Sequence, residues 1–397
     1  MIRHLVLAGV GPGHFRFLQG LLKKRSADIA ITVITRQLRT IAPAALLRAV
    51  AGRQPLDECG ELIAPLLRQV NVNWLDHQVQ ALDPAARVLL MDDGRELRFD
   101  WLSLEPEPAH VREFIERDLP GARANGLFLR PLEAFCKLWP RVAEMAALSP
   151  LRVAVICGGA GGPAATVPAT VPAALPVALP VALPAALPAA VTAGDWPQEK
   201  FAIELALAVR QAFKGSAVTL ITGGPPLAAQ TSPALQRAIQ QALKRRQVTV
   251  LTDAAIKLRS GEVMLQSGAR LACDVPLLAV QAQPHALLAG SGLALNDAGD
   301  IDLDGAQRST SHTPILACDS SAPAARRLAV SLQAVADGKT PAAPRQTLGP
   351  GRSGRDHKPG AGLQILRCGN GQRIVSFGPW AWRSRLLGAV IEWAAER

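Results

Sequence analysis

The chain has 397 residues, 49% of them hydrophobic, and this length and composition are typical of a folded protein of two or three domains. Its 43 Lys and Arg residues against 32 Asp and Glu residues give a net charge of +11, which favours anionic partners such as nucleotides or acidic lipids. Aromatic residues are not interleaved with the basic ones in a base-stacking pattern, so we do not expect nucleic acid as a partner.

The cysteines are scattered along the chain, at Cys59, Cys136, Cys157, Cys273, Cys318 and Cys368. No two have C-x-x-C or metal-ligand spacing and no secretory signal is recognised, so we expect a reducing cytoplasm and no metal site. The absence of a close dithiol also removes the redox-active disulfide that glutathione-reductase-like enzymes use to pass electrons onward.

The first motif is a strand that runs into a glycine-rich turn. Residues 5–8 are predicted to form a buried strand, Gly9-Val10-Gly11-Pro12-Gly13-His14 the turn, residues 15–24 a helix and residues 29–35 a second parallel strand. This is a βαβ unit of the length expected for dinucleotide binding. Farther on, residues 88–91 and 96–104 flank Asp92-Asp93-Gly94-Arg95 and predict a hairpin.

A second strand and glycine turn follow roughly 150 residues later, at Val153 to Gly162. Two such turns predict two dinucleotide-binding domains, one for a flavin and one for a nicotinamide nucleotide. The elements predicted after it are a helix over 195–213, a strand over 217–222, a helix over 232–246, strands over 248–252 and 275–280, a hairpin over 256–266, a return segment at 299–304 and 315–319, and a helix over 324–336.

A Pro/Ala-rich insertion at 163–194 separates the second glycine turn from its helix. Prolines recur at every fourth residue from Pro168 to Pro188, and each would remove a helix hydrogen bond at a cost of about 3 kcal/mol. We therefore predict an extended surface loop of polyproline II character and not a membrane span. An ordered arm or a partner-binding segment is the alternative.

The end of the chain predicts a linker at 338–362 and then a hairpin at 363–367 and 373–377. A helix is predicted from Pro379, with Trp382, Leu386, Val390 and Trp393 on one face. Such a face, with arginines early in the helix, suits a membrane interface. It suits packing on the protein's own body or on a second subunit of a homodimer as well.

In order and content the motifs resemble the two-dinucleotide-domain flavoproteins of the pyridine nucleotide-disulfide oxidoreductase superfamily. The resemblance is to the type II NADH dehydrogenase-like branch, especially the domains fused to selenophosphate synthetase. The matching pieces are LVLAGVGPGH at 5–14, VAVICGGAGG at 153–162, IELALA at 203–208, GLALNDAGDIDLD at 292–304, RSTSHTPILACD at 308–319 and GPWAWR at 378–383.

The resemblance implies an FAD-dependent NAD(P)H oxidoreductase that passes a hydride from NAD(P)H to the flavin and then electrons to a quinone or similar acceptor. The cofactor-binding residues it implies are Gly9, Gly11, Gly13, His14 and Asp319 for FAD, and Gly159, Gly161, Gly162 and Glu204 for NAD(P)H. No side chain is assigned to catalysis. We expect a cytoplasmic protein, with peripheral attachment to the inner face of the cytoplasmic membrane through 379–397 as an option.

The fold prediction is therefore α/β, with two Rossmann-like domains in three layers plus a C-terminal hairpin and amphipathic helix. An FAD-binding domain is assigned to 1–150 and 275–337, an NAD(P)-binding domain to 151–274, the linker to 338–362 and the C-terminal unit to 363–397.

The sequence departs from the family pattern in four features. Cys157 and Cys318 replace glycines, the acidic residue that binds ribose is missing from both units, and the insertion interrupts the second site. They support an alternative, a catalytically weak relative that keeps the fold as a binding or regulatory protein.

Overall fold

We describe a computed structural model of the chain. The described residues are 3–24, 29–36, 39–41, 43–56, 58–105, 112–157, 196–224, 226–280, 286–296, 300–318, 322–342 and 363–385. The predicted insertion at 163–194 and most of the predicted linker lie outside these residues.

The first third of the chain alternates strands and helices and includes an antiparallel hairpin. Its elements are β1 Arg3–Ala8, α1 Pro12–Lys23, β2 Ile29–Ile34, β3 Arg39–Thr40, α2 Pro43–Val50, β4 Glu61–Leu62, α3 Ile63–Val70, β5 Asn73–Leu75, β6 Val79–Asp83, β7 Val88–Met91, β8 Glu96–Arg98 and β9 Trp101–Leu104.

The middle of the chain contains the second strand-and-helix unit. Its elements are α4 Arg112–Asp118, α5 Ala122–Asn125, β10 Leu127–Phe128, α6 Leu132–Leu148, β11 Arg152–Ile156, α7 Trp196–Ala212, β12 Ala217–Ile221, α8 Pro233–Arg245, β13 Val248–Leu251, β14 Ala255–Arg259, β15 Glu262–Leu265, β16 Arg270–Ala272 and β17 Val275–Leu278. The remaining elements are α9 Ala286–Ala289, β18 Ile315–Ala317, α10 Ala322–Ala336, β19 Gln364–Arg367, β20 Arg373–Phe377 and β21 Trp380–Ser384.

Two five-stranded parallel sheets organise the molecule, in the strand orders β18-β9-β1-β2-β5 and β10-β17-β11-β12-β13. The inner strands are continuous apolar runs, as expected when helices or hairpins cover both faces of a parallel sheet. Residues Leu5, Val6 and Leu7 of β1, for example, are completely buried. The predicted α/β class with two Rossmann-like units is confirmed.

The first sheet is covered on one face by helices and on the other by a hairpin. Phe17 and Leu18 of α1 share a core with Leu328 and Leu332 of α10. On the opposite face, the strands β6 to β8 contribute Leu89 to a second core. Strand β1 therefore lies in the middle layer of three, between the helices and the hairpin.

The second sheet is packed between α2, α6, α7 and α8 on one face and the strands β14 to β16 on the other. Helix α2 lies between β3 and β4 in sequence, yet Leu46, Leu47 and Val50 belong to the core of the second sheet. The first part of the chain thus supplies a wall of the second unit.

The strand pairings of the two sheets do not follow the predicted domain boundaries. β10, which lies within 1–150, and β17, which lies within 275–337, both pair in the second sheet. The chain rejoins the first sheet at β18. Strand pairing thus assigns 127–128 and 275–278 to the second unit, and the outer domain limits stay predictions.

One predicted strand is two strands in the structure. The prediction of a single strand over 96–104 is wrong, because the hairpin ends with β8 and the chain turns into the first sheet as β9. Asp100 makes the change of direction: its N–H donates to the His4 carbonyl at 2.9 Å and its carboxylate accepts from His4 N–H at 2.7 Å. Trp101–Leu104 then pairs with β1, where it is largely buried.

The start of the predicted terminal helix is a strand, so the helical face that was to contain Trp382 is wrong. Trp380–Ser384 forms β21, antiparallel to β20, with Trp380 opposite Phe377 and Trp382 opposite Val375. Gly378, at φ 56°, begins a two-residue turn of the kind that joins adjacent antiparallel strands. Leu386, Val390 and Trp393 lie outside the described residues.

The turn after β1 gives a test of the fold. Gly9 has φ 82° and its N–H donates to the Ile34 carbonyl at 2.8 Å. A left-handed conformation costs an L-residue about 1 to 2 kcal/mol. We expect Gly9→Ala to lower the free energy of unfolding by about that amount in urea titrations.

Gly20→Ala is the control for Gly9→Ala. Gly20 lies inside α1, and a Cβ there would be no closer than 3.8 Å to Gln333 Oε1, so this variant should be as stable as the wild type or more stable by up to about 1 kcal/mol. Equal stability of the Gly9→Ala variant and the wild type would contradict the structural role of Gly9.

Candidate site at the start of helix α1

The candidate site begins where β1 ends and α1 starts. Parallel strands leave their carboxyl ends at one edge of a sheet, where a topological switch forms a ligand crevice. Gly9 turns the chain at that edge, and α1 begins at Pro12, with Gly11 as its extended N-cap residue. Because Pro12 has no N–H, the first free donors of the helix are the amides of Gly13 and His14.

His14 is completely buried and its ring is held by protein atoms on both sides. Nδ1 lies 2.8 Å from the Gly9 carbonyl, to which it donates, and Nε2 lies 2.7 Å from Ser103 Oγ. The ring therefore connects the glycine turn to β9. Its predicted role in cofactor binding stays a prediction, and its backbone N–H is the group that faces the site.

Glu105 is the residue directly after β9. It was not among the predicted site residues, yet its carboxylate contacts both free amides at the start of α1. Its Oε1 accepts from Gly13 N–H at 3.0 Å, and its Oε2 accepts from His14 N–H at 2.5 Å. The side chain is 3% exposed. A charged residue directly after a buried strand at the carboxyl edge of a parallel sheet was the sequence signal that could have identified it.

Gly11 and Gly13 are needed because other atoms approach them closely. A Cβ on Gly11 would lie 2.8 Å from Glu105 Cδ. A Cβ on Gly13 would lie 2.8 Å from Leu328 Cδ2 and 3.3 Å from the Ala325 carbonyl oxygen, both on α10. The first glycine thus makes room for the carboxylate and the second for helix packing.

The start of α1 has the donors that the pyrophosphate of a dinucleotide needs, and in this structure Glu105 occupies them. Such a group is held by the backbone N–H groups and the positive end of the dipole at a helix N-terminus. The contacts of Glu105 show that the amides of Gly13 and His14 donate to a carboxylate at this position. Asp319, the residue predicted to hold the flavin's ribityl chain, lies outside the described residues.

The second glycine turn is described only at its beginning. Cys157 follows β11, is buried, and donates its N–H to the Ile221 carbonyl at 2.8 Å. Gly159, Gly161 and Gly162 lie outside the described residues. At the start of α7, Glu199 Oε1 accepts from Ala228 N–H at 2.6 Å, and burial raises the pKa of this carboxyl.

Glu204, predicted to bind the nucleotide, is directed toward the C-terminal hairpin. Its Oε1 accepts from Arg367 N–H at 2.7 Å, and its carboxylate lies 3.3 Å from Lys200 Nζ and 3.6 Å from Arg367 Nη1. Its side chain is 3% exposed. Glu204 thus attaches β19 to α7, and its predicted role in nucleotide binding stays a prediction.

In the part of the chain that the structure describes, one group of side chains has ligand atoms close enough for a metal ion. His77, Asp92 and Asp93 offer atoms within 4.8 Å of one another. Arg36 pairs with Asp92 and Arg95 pairs with Asp93, so these arginines already balance the two carboxylates. We assign no metal to this cluster.

The comparisons with known proteins agree with this fold. Residues 201–338 match the family model described as pyridine nucleotide-disulphide oxidoreductase, which is about a third of the chain. A stretch of 111 residues is 23% identical to sulfide-quinone reductase from Aquifex aeolicus (strain VF5), covering 28% of this chain and 26% of that relative's length.

Two solved structures share the fold at low sequence identity. The sulfide:quinone oxidoreductase of Aquifex aeolicus superposes with a TM-score of 0.65 at 14% identity, over 99% of this chain and 91% of that one. Reduced CoADR-RHD from Bacillus anthracis superposes with a TM-score of 0.66 at 16% identity, over 94% of this chain and 61% of that one. The family match is confined to residues 201–338, and the two superpositions show the shared fold.

The thiol of Cys157 gives a test of the second site. Burial raises the pKa of this thiol to about 12. At pH 8 roughly one Cys157 side chain in ten thousand would then be the reactive thiolate, and this fraction becomes large only as the pH approaches 12. We expect no alkylation of Cys157 by iodoacetamide at pH 8 in the folded protein, as measured by peptide mass spectrometry.

The half-buried Cys136 and Cys318 should be alkylated before Cys157, and unfolding in urea should make Cys157 reactive. Rapid modification of Cys157 in the folded protein would contradict its buried position.

Glu204 gives a second test. We expect Glu204→Ala to lower the free energy of unfolding by about 1 to 3 kcal/mol, since it leaves the partly buried N–H of Arg367 without this charged acceptor. Limited proteolysis should then cut within 363–385 sooner than in the wild type. Glu61→Ala, at an exposed carboxylate, is the matched control. Wild-type stability in the Glu204→Ala variant would contradict the structural role.

Proposed function

We propose that the protein is an FAD-dependent NAD(P)H oxidoreductase, with a quinone or a similar small molecule as electron acceptor. The observation that carries this proposal is the glycine turn between β1 and α1, whose Gly13 and His14 amides hold an anion at the carboxyl edge of a parallel sheet. The family match of residues 201–338 and the curated quinone reductase relative support it.

The chain's own residues would bind and orient the two nucleotides. In the first unit, the turn from Gly9 to His14 would hold the FAD pyrophosphate, and Asp319 would accept hydrogen bonds from the ribityl chain. In the second, the turn at 158–162 and helix α7 would hold NAD(P)H. FAD, when bound, supplies the chemistry, accepting a hydride from NAD(P)H and passing two electrons to the acceptor.

The proposed reaction contains no thiol step. The six cysteines all lie among the described residues and form no disulfide. Burial raises the pKa of Cys157 to about 12 and the pKa of Cys59, Cys273 and Cys368 to about 11. Electrons would therefore pass from the flavin to the acceptor directly.

A membrane surface is the proposed location of a quinone reaction. Phe377, Trp380 and Trp382 are exposed at the C-terminal hairpin, and aromatic side chains beside arginines suit the boundary between headgroups and water. Among the described residues, no helix combines the length and apolar character needed to cross a membrane. A cytoplasmic location, attachment through 379–397 and a homodimer remain parts of the proposal.

The second candidate function is a binding or regulatory protein with weak catalysis. Glu105 favours it, because the carboxylate uses the two amides that a pyrophosphate would need. In this case the fold would be retained and the redox reaction lost.

A visible spectrum of the purified protein tests the two candidates. We expect flavin bands, present on purification or after incubation with FAD, that bleach under anaerobic conditions when NADH or NADPH is added. NAD⁺ is the control because it carries no hydride. Flavin bands that persist with both reduced nucleotides would support the binding protein, and no bound flavin after incubation with FAD would overturn the oxidoreductase.

A further inference from the structure

We propose that Glu105 sets the dinucleotide affinity of the first unit by acting as an internal anion that the pyrophosphate must displace. This inference rests on the proposed function, because it concerns the same glycine turn. The carboxylate of Glu105 would then determine whether the glycine turn binds FAD tightly or weakly.

The contacts of Glu105 are those that a bound phosphate would make. Oε1 and Oε2 accept from two consecutive amides of α1, at 3.0 Å from Gly13 N and 2.5 Å from His14 N. Oε2 also lies 3.7 Å from His14 Nδ1. A carboxylate at this place is stabilised by the helix dipole as well as by the two hydrogen bonds.

The site has no room for both anions. The gap between Gly11 and Glu105 is so narrow that a single Cβ on Gly11 would lie 2.8 Å from Glu105 Cδ and 2.9 Å from its Oε1. A phosphate group is larger than a methyl group, and two negative charges at hydrogen-bonding distance from the same donors repel. The carboxylate must therefore rotate away before a pyrophosphate can bind.

The neighbours of Glu105 indicate that it moves alone. The His14 ring is held by the Gly9 carbonyl and Ser103 Oγ, independently of the carboxylate. Gly13 lies so close to α10 that a Cβ on it would be 2.8 Å from Leu328 Cδ2. We therefore expect the two amides to remain in place when Glu105 rotates, so that only its side chain is exchanged for the ligand.

Two properties should change in opposite directions when the charge is removed. Without FAD, Glu105 satisfies two helix-terminal amides, so its loss should lower Tm. With FAD, its loss removes a competitor, so the dinucleotide should bind more tightly. A residue with only a structural role would lower Tm and leave FAD binding unchanged or weaker.

The experiment measures FAD binding by flavin fluorescence and Tm by circular dichroism in the full-length wild type, Glu105→Gln and Glu105→Ala. The first variant removes the charge and the second also removes the volume. We expect FAD to bind at least about tenfold more tightly to Glu105→Ala, with Glu105→Gln between it and the wild type. Either variant that folds is sufficient for the test.

Riboflavin and a second carboxylate provide controls. Riboflavin has no phosphate, so its affinity should be the same for all three proteins. Glu116 also accepts from two backbone amides, those of Gly121 and Arg123, both at 2.7 Å. Glu116→Gln should therefore lower Tm without changing the affinity for FAD.

The outcomes separate this inference from the proposed function. FAD bound equally by the wild type and both Glu105 variants would overturn the inference and leave the oxidoreductase standing. A gain of the same size in Glu116→Gln would also overturn it, since general loosening would then be the cause. No FAD binding by any of the proteins would overturn both.

Discussion

The organisation of the first unit depends on two amides at the start of α1, which have no acceptor within the helix and are buried. A buried donor without an acceptor costs about 1 to 3 kcal/mol, so the surrounding chain must supply one. Glu105 supplies it from the end of β9, while the His14 ring connects the Gly9 carbonyl to Ser103 of the same strand. These contacts bring together three elements, β1, α1 and β9, at the edge where a nucleotide is expected.

Sequence patterns were sufficient to predict the strands and helices that depend mainly on local interactions. The apolar runs of β1, β2 and β12 and the bounds of α8 were predicted to within about two residues. The role of Glu105 could not be predicted in this way, because its partners are 91 and 92 residues away in sequence. A glycine turn identifies the donors at a helix terminus and gives no information about the acceptor.

The C-terminal unit shows a second limit of sequence patterns. Trp380–Ser384 is too short to distinguish a helical period from a strand period, and its pairing with β20 decides in favour of a strand. Glu204 was matched to a family position by its place on α7, and its contact is with Arg367, 163 residues away. In both places tertiary contacts determine the structure, and the local sequence pattern does not predict them. The predicted fold class is correct although the strand at 380–384 and the contact of Glu204 were not predicted.

Helix α2 has a consequence for how the chain could be divided. Its side chains Leu46, Leu47 and Val50 fill the core of the second sheet, although the chain on both sides of α2 belongs to the part that builds the first. A cut between the two sheet-forming segments would expose this apolar face on one fragment and leave a cavity in the other. The two sheet units are therefore interdependent in folding, and recombination of such domains between related proteins must carry α2 together with α7 and the second sheet.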